Sequence, residues 1–144
     1  MSGEEIMSNM TTITVGVTSD ASIEFTPFGV QAGIGDWRET LLSTVSRLSA
    51  KRLTISNRTS GKGNSKRRKC KLLVELPQIT STTLPDASGF VPPPKVGRPL
   101  RATVEFDVDE FTTASNMLDL REHISALLAN GYVQSYIDTG VQPM

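Results

Sequence analysis

Apolar and polar positions alternate in several separate stretches of the chain, the period-two pattern of half-buried β-strands. From Thr11 to Thr18, Ile13, Val15 and Val17 fall on one side. Ser19 to Ser22 reads as a turn, and Ile23–Thr26 alternates again, so a β-hairpin is expected. Pro27 and the Gly-rich segment Gly29–Gly35 then break the pattern. Trp37–Ala50 supports two readings: Leu41, Leu42, Val45 and Leu48 fit a helical face, whereas its Ser and Thr content suits a strand followed by a loop.

The alternation is clearest further on. In Arg52–Arg58, Leu53 and Ile55 face one way and Arg52, Thr54, Ser56 and Arg58 the other. Thr59–Asn64, with Gly61 and Gly63, reads as a turn. Lys69–Leu76 then places Cys70, Leu72, Val74 and Leu76 inward and Lys69, Lys71, Leu73 and Glu75 outward. An antiparallel pairing of these two strands gathers Thr54, Ser56, Arg58, Lys69 and Lys71 on one open surface. A Pro-rich connection, Pro77–Pro99, leads to a strand over Leu100–Phe111. There Ala102, Val104, Phe106 and Val108 point inward and Arg101, Thr103, Glu105, Asp107 and Asp109 outward. Connections of that length in compact domains usually have a function.

The period then changes to that of a helix. Ser115 or Asn116 is the expected cap, with Asp119 in the first turn. Met117, Leu120, Ile124, Leu127 and Leu128 form a stripe, Asn130-Gly131 is a stop, and Val133, Tyr136 and Ile137 suit a short second helix before Gly140. The expected fold is α+β: an N-terminal hairpin, an antiparallel five-stranded sheet in all, and two C-terminal helices. One helix of about four turns cannot cover five strands, so a second copy of the chain is expected to supply the missing layer in a twofold dimer.

Length and charge narrow the function. The 144 residues suit a single domain, 1–144, with residues 1–10 as a polar arm. One cysteine makes no internal disulfide, and no stretch approaches the roughly 18 apolar residues of a membrane span. Met-Ser-Gly-Glu-Glu lacks the basic and apolar regions of a signal peptide, so a reducing compartment is expected. The 15 basic and 15 acidic residues cancel, yet they are segregated. Arg47, Lys51, Arg52, Arg58, Lys62, Lys66, Arg67, Arg68, Lys69 and Lys71 occur in a stretch without acids, and from Ala102 onward acids dominate, with Arg121 as the sole base. A concentrated positive field attracts polyanions, of which phosphates are the commonest.

Candidate chemistry is sparse. His123 beside Glu122 reads as an ordinary helix-surface histidine, and Cys70 as a packed thiol on an inward strand position. One His and one Cys show no zinc-ligand spacing. Glu105, Asp107 and Asp109 could hold a cation, but a solvated face or pairing with a neighbour's basic turn is the better reading. Gly61–Lys66 lacks the spacing and following helix of a phosphate loop, and Asn57-Arg58-Thr59 matches a glycosylation sequon by pattern alone. No catalytic residue, metal ligand, cofactor or small-molecule substrate is expected.

The co-linear set of elements resembles the coat proteins of single-stranded RNA bacteriophages, the levivirus type. Carrying the resemblance, from about Thr11 to the end, are the hairpin, Trp37, K-R-L-T-I-S-N-R, the basic turn and R-K-C-K-L-L-V-E-L-P with its V-E-L-P-Q-I piece. The long loop, R-A-T-V-E-F-D-V and the helix ending in A-L-L-A-N-G complete it. The resemblance implies a homodimer with a continuous antiparallel sheet facing a particle interior and interlocking helices outside. It also implies assembly into an icosahedral shell, usually of triangulation number three, with residues 77–99 at the symmetry axes. A virion location, assembly in the host bacterial cytoplasm, packaging of single-stranded RNA and repression of replicase translation through an RNA hairpin follow from it too. By matched position, Thr54 and Ser56 resemble hydroxyls that pocket an unpaired adenine, and Arg52, Arg58 and Lys69 resemble phosphate contacts. Leu73 stands where relatives carry lysine, Arg101 where they carry a stacking tyrosine, and Thr103 where they carry asparagine. The expected RNA-binding set is therefore Arg52, Thr54, Ser56, Arg58, Lys66, Arg67, Arg68, Lys69, Lys71, Arg101 and Thr103. The rival reading is a cellular β-sheet RNA-binding module with a basic patch at Lys66–Lys69. Such modules usually carry aromatic stacking residues on the sheet, and the three strands from Arg52 onward show none outward.

Overall fold

A computed structural model describes residues 10–17, 20–40, 48–80, 87–90 and 95–142. Most of the expected arm, residues 1–9, lies outside them, as does 41–47 of the ambiguous segment. The chain divides into two compact units, residues 1–107 and 108–144.

The first unit is built on a sheet with strand order β1-β2-β3-β4-β5-β8. Its strands are β1 (Ile13–Val17), β2 (Asp20–Gln31), β3 (Ile34–Glu39), β4 (Arg52–Ser60), β5 (Arg67–Leu76) and β8 (Leu100–Asp109). Between β5 and β8, within the Pro-rich connection, β6 (Ile79–Thr80) and β7 (Lys95–Val96) pair as a separate antiparallel ribbon.

The sheet has six strands rather than five because the segment read as a break is paired backbone. β2 starts at Asp20, inside the expected turn, and runs through Pro27 to Gln31. A register shift between Pro27 and Gly29 accommodates this; proline lacks a ladder donor, and a bulge is where a strand tolerates it. Ala32 and Gly33, at φ 51 and 76, link β2 to β3. Two consecutive positive φ values form the tight turn whose twist suits a hairpin. Ala-Gly is not a usual signal for that turn, since only glycine takes positive φ freely.

Alternation on β4 and β5 is as expected, with the strands longer. Their register runs from Arg52↔Glu75 to Ser60↔Arg67. Thr59 and Ser60 therefore belong to β4, and the turn moves to Gly61–Lys66 around a 3₁₀ helix, Gly63–Ser65. Gly61 sits at φ 94 with the Ser65 carbonyl where a Cβ would be, so a side chain there is excluded.

Apolar side chains of one sheet face make the core. Ile23, Phe25 and Leu53 are buried, with Ile13, Trp37, Ile55, Leu72 and Val74 packed on them. Gly35 lets Trp37 lie flat, since a Cβ at 35 would sit 2.6 Å from the indole, and the indole N–H donates to the Thr11 carbonyl at 2.9 Å. Glu39 lies on this same face, nearly buried, and accepts from the Lys51 backbone N–H (3.0 Å) and ammonium (3.4 Å).

The second unit holds α1 (Ala114–Ala129) and α2 (Gly131–Thr139). The strand ends at Asp109, whose carboxylate accepts from the Phe111 N–H (3.0 Å) and the Thr112 hydroxyl (2.9 Å) and turns the chain. Thr113, not Ser115 or Asn116, caps α1 by accepting from the Asn116 N–H. The earlier start moves Asp119 out of the first turn. Asn130 ends α1 and caps α2, its amide oxygen accepting from the Tyr132 and Val133 N–H groups. Gly140, at φ 66, ends α2 in the left-handed conformation.

Candidate nucleic-acid interface

Opposite the core, β3, β4, β5 and β8 present polar side chains. Register places Arg58 across from Lys69, Ser56 across from Lys71, Thr54 across from Leu73 and Arg52 across from Glu75. On the other side of β4, Ile34 meets Ser56 and Asp36 meets Thr54. A cation directly opposite a cation, as at Arg58 and Lys69, disfavours the folded sheet. An anion bound between them removes that repulsion.

Acids on the same floor take up part of the positive charge. Arg52 makes two 3.0 Å hydrogen bonds to Asp36. This bonding raises the Arg52 pKa, opposed by partial burial and aided by the charges of Asp36 and Glu75. Arg67 donates to Asp107 at 2.7 Å through Nε and at 3.3 Å to its carbonyl. Lys69 Nζ stands 3.9 Å from both Glu105 and Asp107, and Arg101 Nε lies 3.1 Å from Glu75. The pairs 67–107, 69–105 and 75–101 run in opposite chain order, as antiparallel neighbours do. Arg58 and Lys71 have no ion pair among the described residues.

The expected site residues thus occupy four places. Arg52, Thr54, Ser56, Arg58, Arg67, Lys69 and Lys71 share the floor by β4–β5 register. Arg101 and Thr103 lie on alternate exposed positions of β8 in phase with Glu105, with Arg101 held by Glu75. Arg68 is out of phase: opposite Thr59, it falls on the Cys70 and Leu72 side of β5. Lys66 precedes β5 at the end of the 3₁₀ turn, half-buried, its N–H bonded to the Gly63 carbonyl.

Two depressions mark the floor. One, of about 580 Å³, is walled by Thr54, Ser56, Arg58, Lys69, Lys71 and Leu73 together with Ile34, Ser60 and Glu105. It combines hydroxyls, which can read base edges, with cations, which hold phosphates. The second, of about 680 Å³, shares Ile34 and Thr54 with it and continues toward Phe28, Val30, Asp36, Arg38 and Arg52. Phe28, Ile34, Asp36 and Arg38 were not anticipated, because their strands fall in the segment read as a break or as ambiguous. A period-two reading carried through Pro27 with one residue of slippage would have found them.

Cys70 is half-buried on the core side, and the His123 Nδ1 bonds the Asp119 carbonyl at 2.7 Å within α1. Glu105 and Asp107 pair with bases of their own chain.

The family model described as "Levivirus coat protein" matches residues 8–142, nearly the whole chain. The chain belongs to the levivirus coat protein family. As a coat protein it is a structural component of a phage capsid and not an enzyme, which removes the cellular-module reading. Against curated protein sequences, nothing matches. Among solved structures, the coat protein resembles the virus-like particle of bacteriophage ESE058, with a TM-score of 0.72 and 21% identity over 93% of this chain and 96% of that one. The virus-like particle of Beihai levi-like virus 21 gives a TM-score of 0.74 at 18% identity, covering 94% of this chain and 98% of that one. The capsid of bacteriophage GA gives 0.67 at 18% identity, covering 91% and 95%. At these identities the likeness concerns the fold, and the α+β reading of an antiparallel sheet with two C-terminal helices agrees with it.

Proposed function

We propose that this coat protein forms a homodimer, assembles into an icosahedral shell of triangulation number three, and packages single-stranded RNA against the polar face of its sheet. One observation carries the RNA reading. Arg58 and Lys71, without ion pairs among the described residues, flank the Thr54 and Ser56 hydroxyls in a single depression. That arrangement suits an unpaired purine seated between hydroxyls with its phosphates on the cations. It supports recognition of a hairpin carrying an unpaired adenine, and through it repression of replicase translation.

Dimerisation rests on exposed apolar surface. In the second unit Leu127 is 51%, Tyr132 71% and Ile137 61% exposed, while Ile55, Leu72 and Val74 on the core face of the sheet stay half-buried. Each fully buried Leu or Ile contributes about 1.5–3 kcal/mol, so a partner covering several of them makes the dimer the stable form.

Expression of the full chain, followed by electron microscopy and absorbance ratios of the purified product, tests this reading. Large RNA-containing particles are expected. Replacing both Arg58 and Lys71 by Ala lowers the RNA content while dimers persist. A monomer in solution, or equal loss of RNA and of dimer, refutes the reading.

A further inference from the structure

The second depression on the floor has a composition that phosphate binding does not require. Phe28 is 65% exposed, and the Arg38 guanidinium lies 3.7 Å from its ring centroid. A large aromatic left open to solvent forgoes the free energy of burial, and it stands here beside Val30 and Ala32 at the end of a cationic floor. Alternation along β2 accounts for its side of the sheet, and the irregularity between Pro27 and Gly29 for its lack of a paired partner. Pro27 pairs with Trp37 and the next paired residue, Gly29, with Asp36, so Phe28 is the inserted residue. The insertion resets the alternation, so Gly29 falls on the same side of the sheet as Phe28. Phe28, one residue past the core-side Pro27, lies on the side of Asp36 and Arg38, away from the core that holds Phe25.

We propose that the Phe28–Arg38 pair is a stacking subsite for an unpaired base of single-stranded RNA, next to the depression at Thr54 and Ser56. The proposal rests on the RNA reading given above and adds a second, separately located contact. An aromatic ring capped by a guanidinium offers a flat, polarisable surface to any base, and such stacking tolerates every base because each has a π-face. Asp36 fixes the platform. Its carboxylate is bonded twice by Arg52 and lies 3.6 Å from Arg38, which restrains the guanidinium over the ring. Because Asp36 is already engaged by two arginines, discrimination between bases is weak here, unlike at the hydroxyl-lined depression. Ile34 and Thr54 line both depressions, so one RNA strand can occupy both, its phosphates passing the Arg52 and Arg58 side of β4. A nucleic acid is favoured over a protein occupant because the apolar surface is a small patch within a field of cations.

The test uses the full-length protein stripped of host RNA and two labelled oligoribonucleotides of equal length and charge, one normal and one abasic. Phe28→Ala is expected to weaken binding of the normal strand by about 5- to 100-fold, to leave the abasic strand unaffected and to leave the salt slope unchanged. Phe28→Tyr restores affinity, while Phe28→Leu, which fills the space without a π-face, does not. Phe28→Trp fluorescence, read against the unsubstituted protein as the Trp37 background, is quenched by the normal strand and not by the abasic one. Normal binding by Phe28→Ala overturns the stacking subsite and leaves the RNA reading intact, as does equal weakening of both strands. Failure of the unsubstituted protein to bind either strand overturns both readings.

Discussion

Asp107 occupies Arg67 at 2.7 Å and shares Lys69 with Glu105. If phosphates bind this floor, they compete with these carboxylates. Asp107→Asn keeps an oxygen acceptor near Arg67 but removes the charge. Adding Glu105→Gln releases Lys69 as well. Side chains in these pairs are 40–52% exposed, so each pair is worth only about 0–1 kcal/mol to the fold, and both variants remain folded. Each newly available cation adds a phosphate contact, and the logarithm of affinity falls with the logarithm of salt by about 0.7 per contact on single strands. The slope should therefore steepen by about 0.7 for Asp107→Asn and by about 1.4 for the double variant. Relative to ~1 M salt, the same terms correspond at ~0.1 M to about fivefold and about 25-fold tighter binding. Anisotropy of a labelled oligoribonucleotide across a salt series reads both quantities. An unchanged or shallower slope refutes the competition, because it means that the cations beside these acids do not reach phosphate.

Four further outcomes are expected. Gly35→Ala places a methyl against the Trp37 ring, displaces the indole from Thr11 and lowers stability by about 1–3 kcal/mol, visible as a lower denaturation midpoint. Ala32→Asn, at an exposed position with φ 51, relieves part of the left-handed cost of about 1–2 kcal/mol and raises the melting temperature. The Tyr136 hydroxyl, hydrogen-bonded to Tyr132 at 2.8 Å and secondarily desolvated, has its pKa raised above the ordinary 10.0. Its stabilisation is complete below the unfolded pKa and is lost as pH rises through the higher folded value; ultraviolet titration of Tyr132→Phe should show the shift shrinking. Thr113→Ala removes the α1 cap and costs about 1 kcal/mol, read as earlier loss of helical circular dichroism on heating.

Much of this architecture is written in simple alternation. β4 and β5 were legible because Leu53, Ile55, Leu72 and Val74 meet one another in register, so local pattern and long-range pairing agree. The helices were legible for the same reason, through Asn130-Gly131 and Gly140. What escaped detection lies where local chemistry and pairing disagree. Pro27 lies within a strand because a bulge absorbs it, and Ala32 adopts a turn geometry that glycine or asparagine would announce. With β3 hidden, so was Asp36, and with Asp36 the fact that Arg52 is bonded rather than free. For the acids of β8 the sequence suggests solvation or pairing with a neighbour's basic turn; Glu105 and Asp107 instead pair with Arg67 and Lys69 on the adjacent strand of the same chain, a register that no local pattern encodes. Charge alone groups Arg68 with its neighbours, although the period of two sends it to the opposite side.

The single residue between the two helices has a mechanical consequence. Asn130 closes one and opens the other with no spacer, its amide gripping two backbone donors of α2. Nothing at that elbow can lengthen, so a change of angle there must break a cap. A subunit that has to fit several slightly different surroundings would bend elsewhere and carry this elbow unchanged from one to the next.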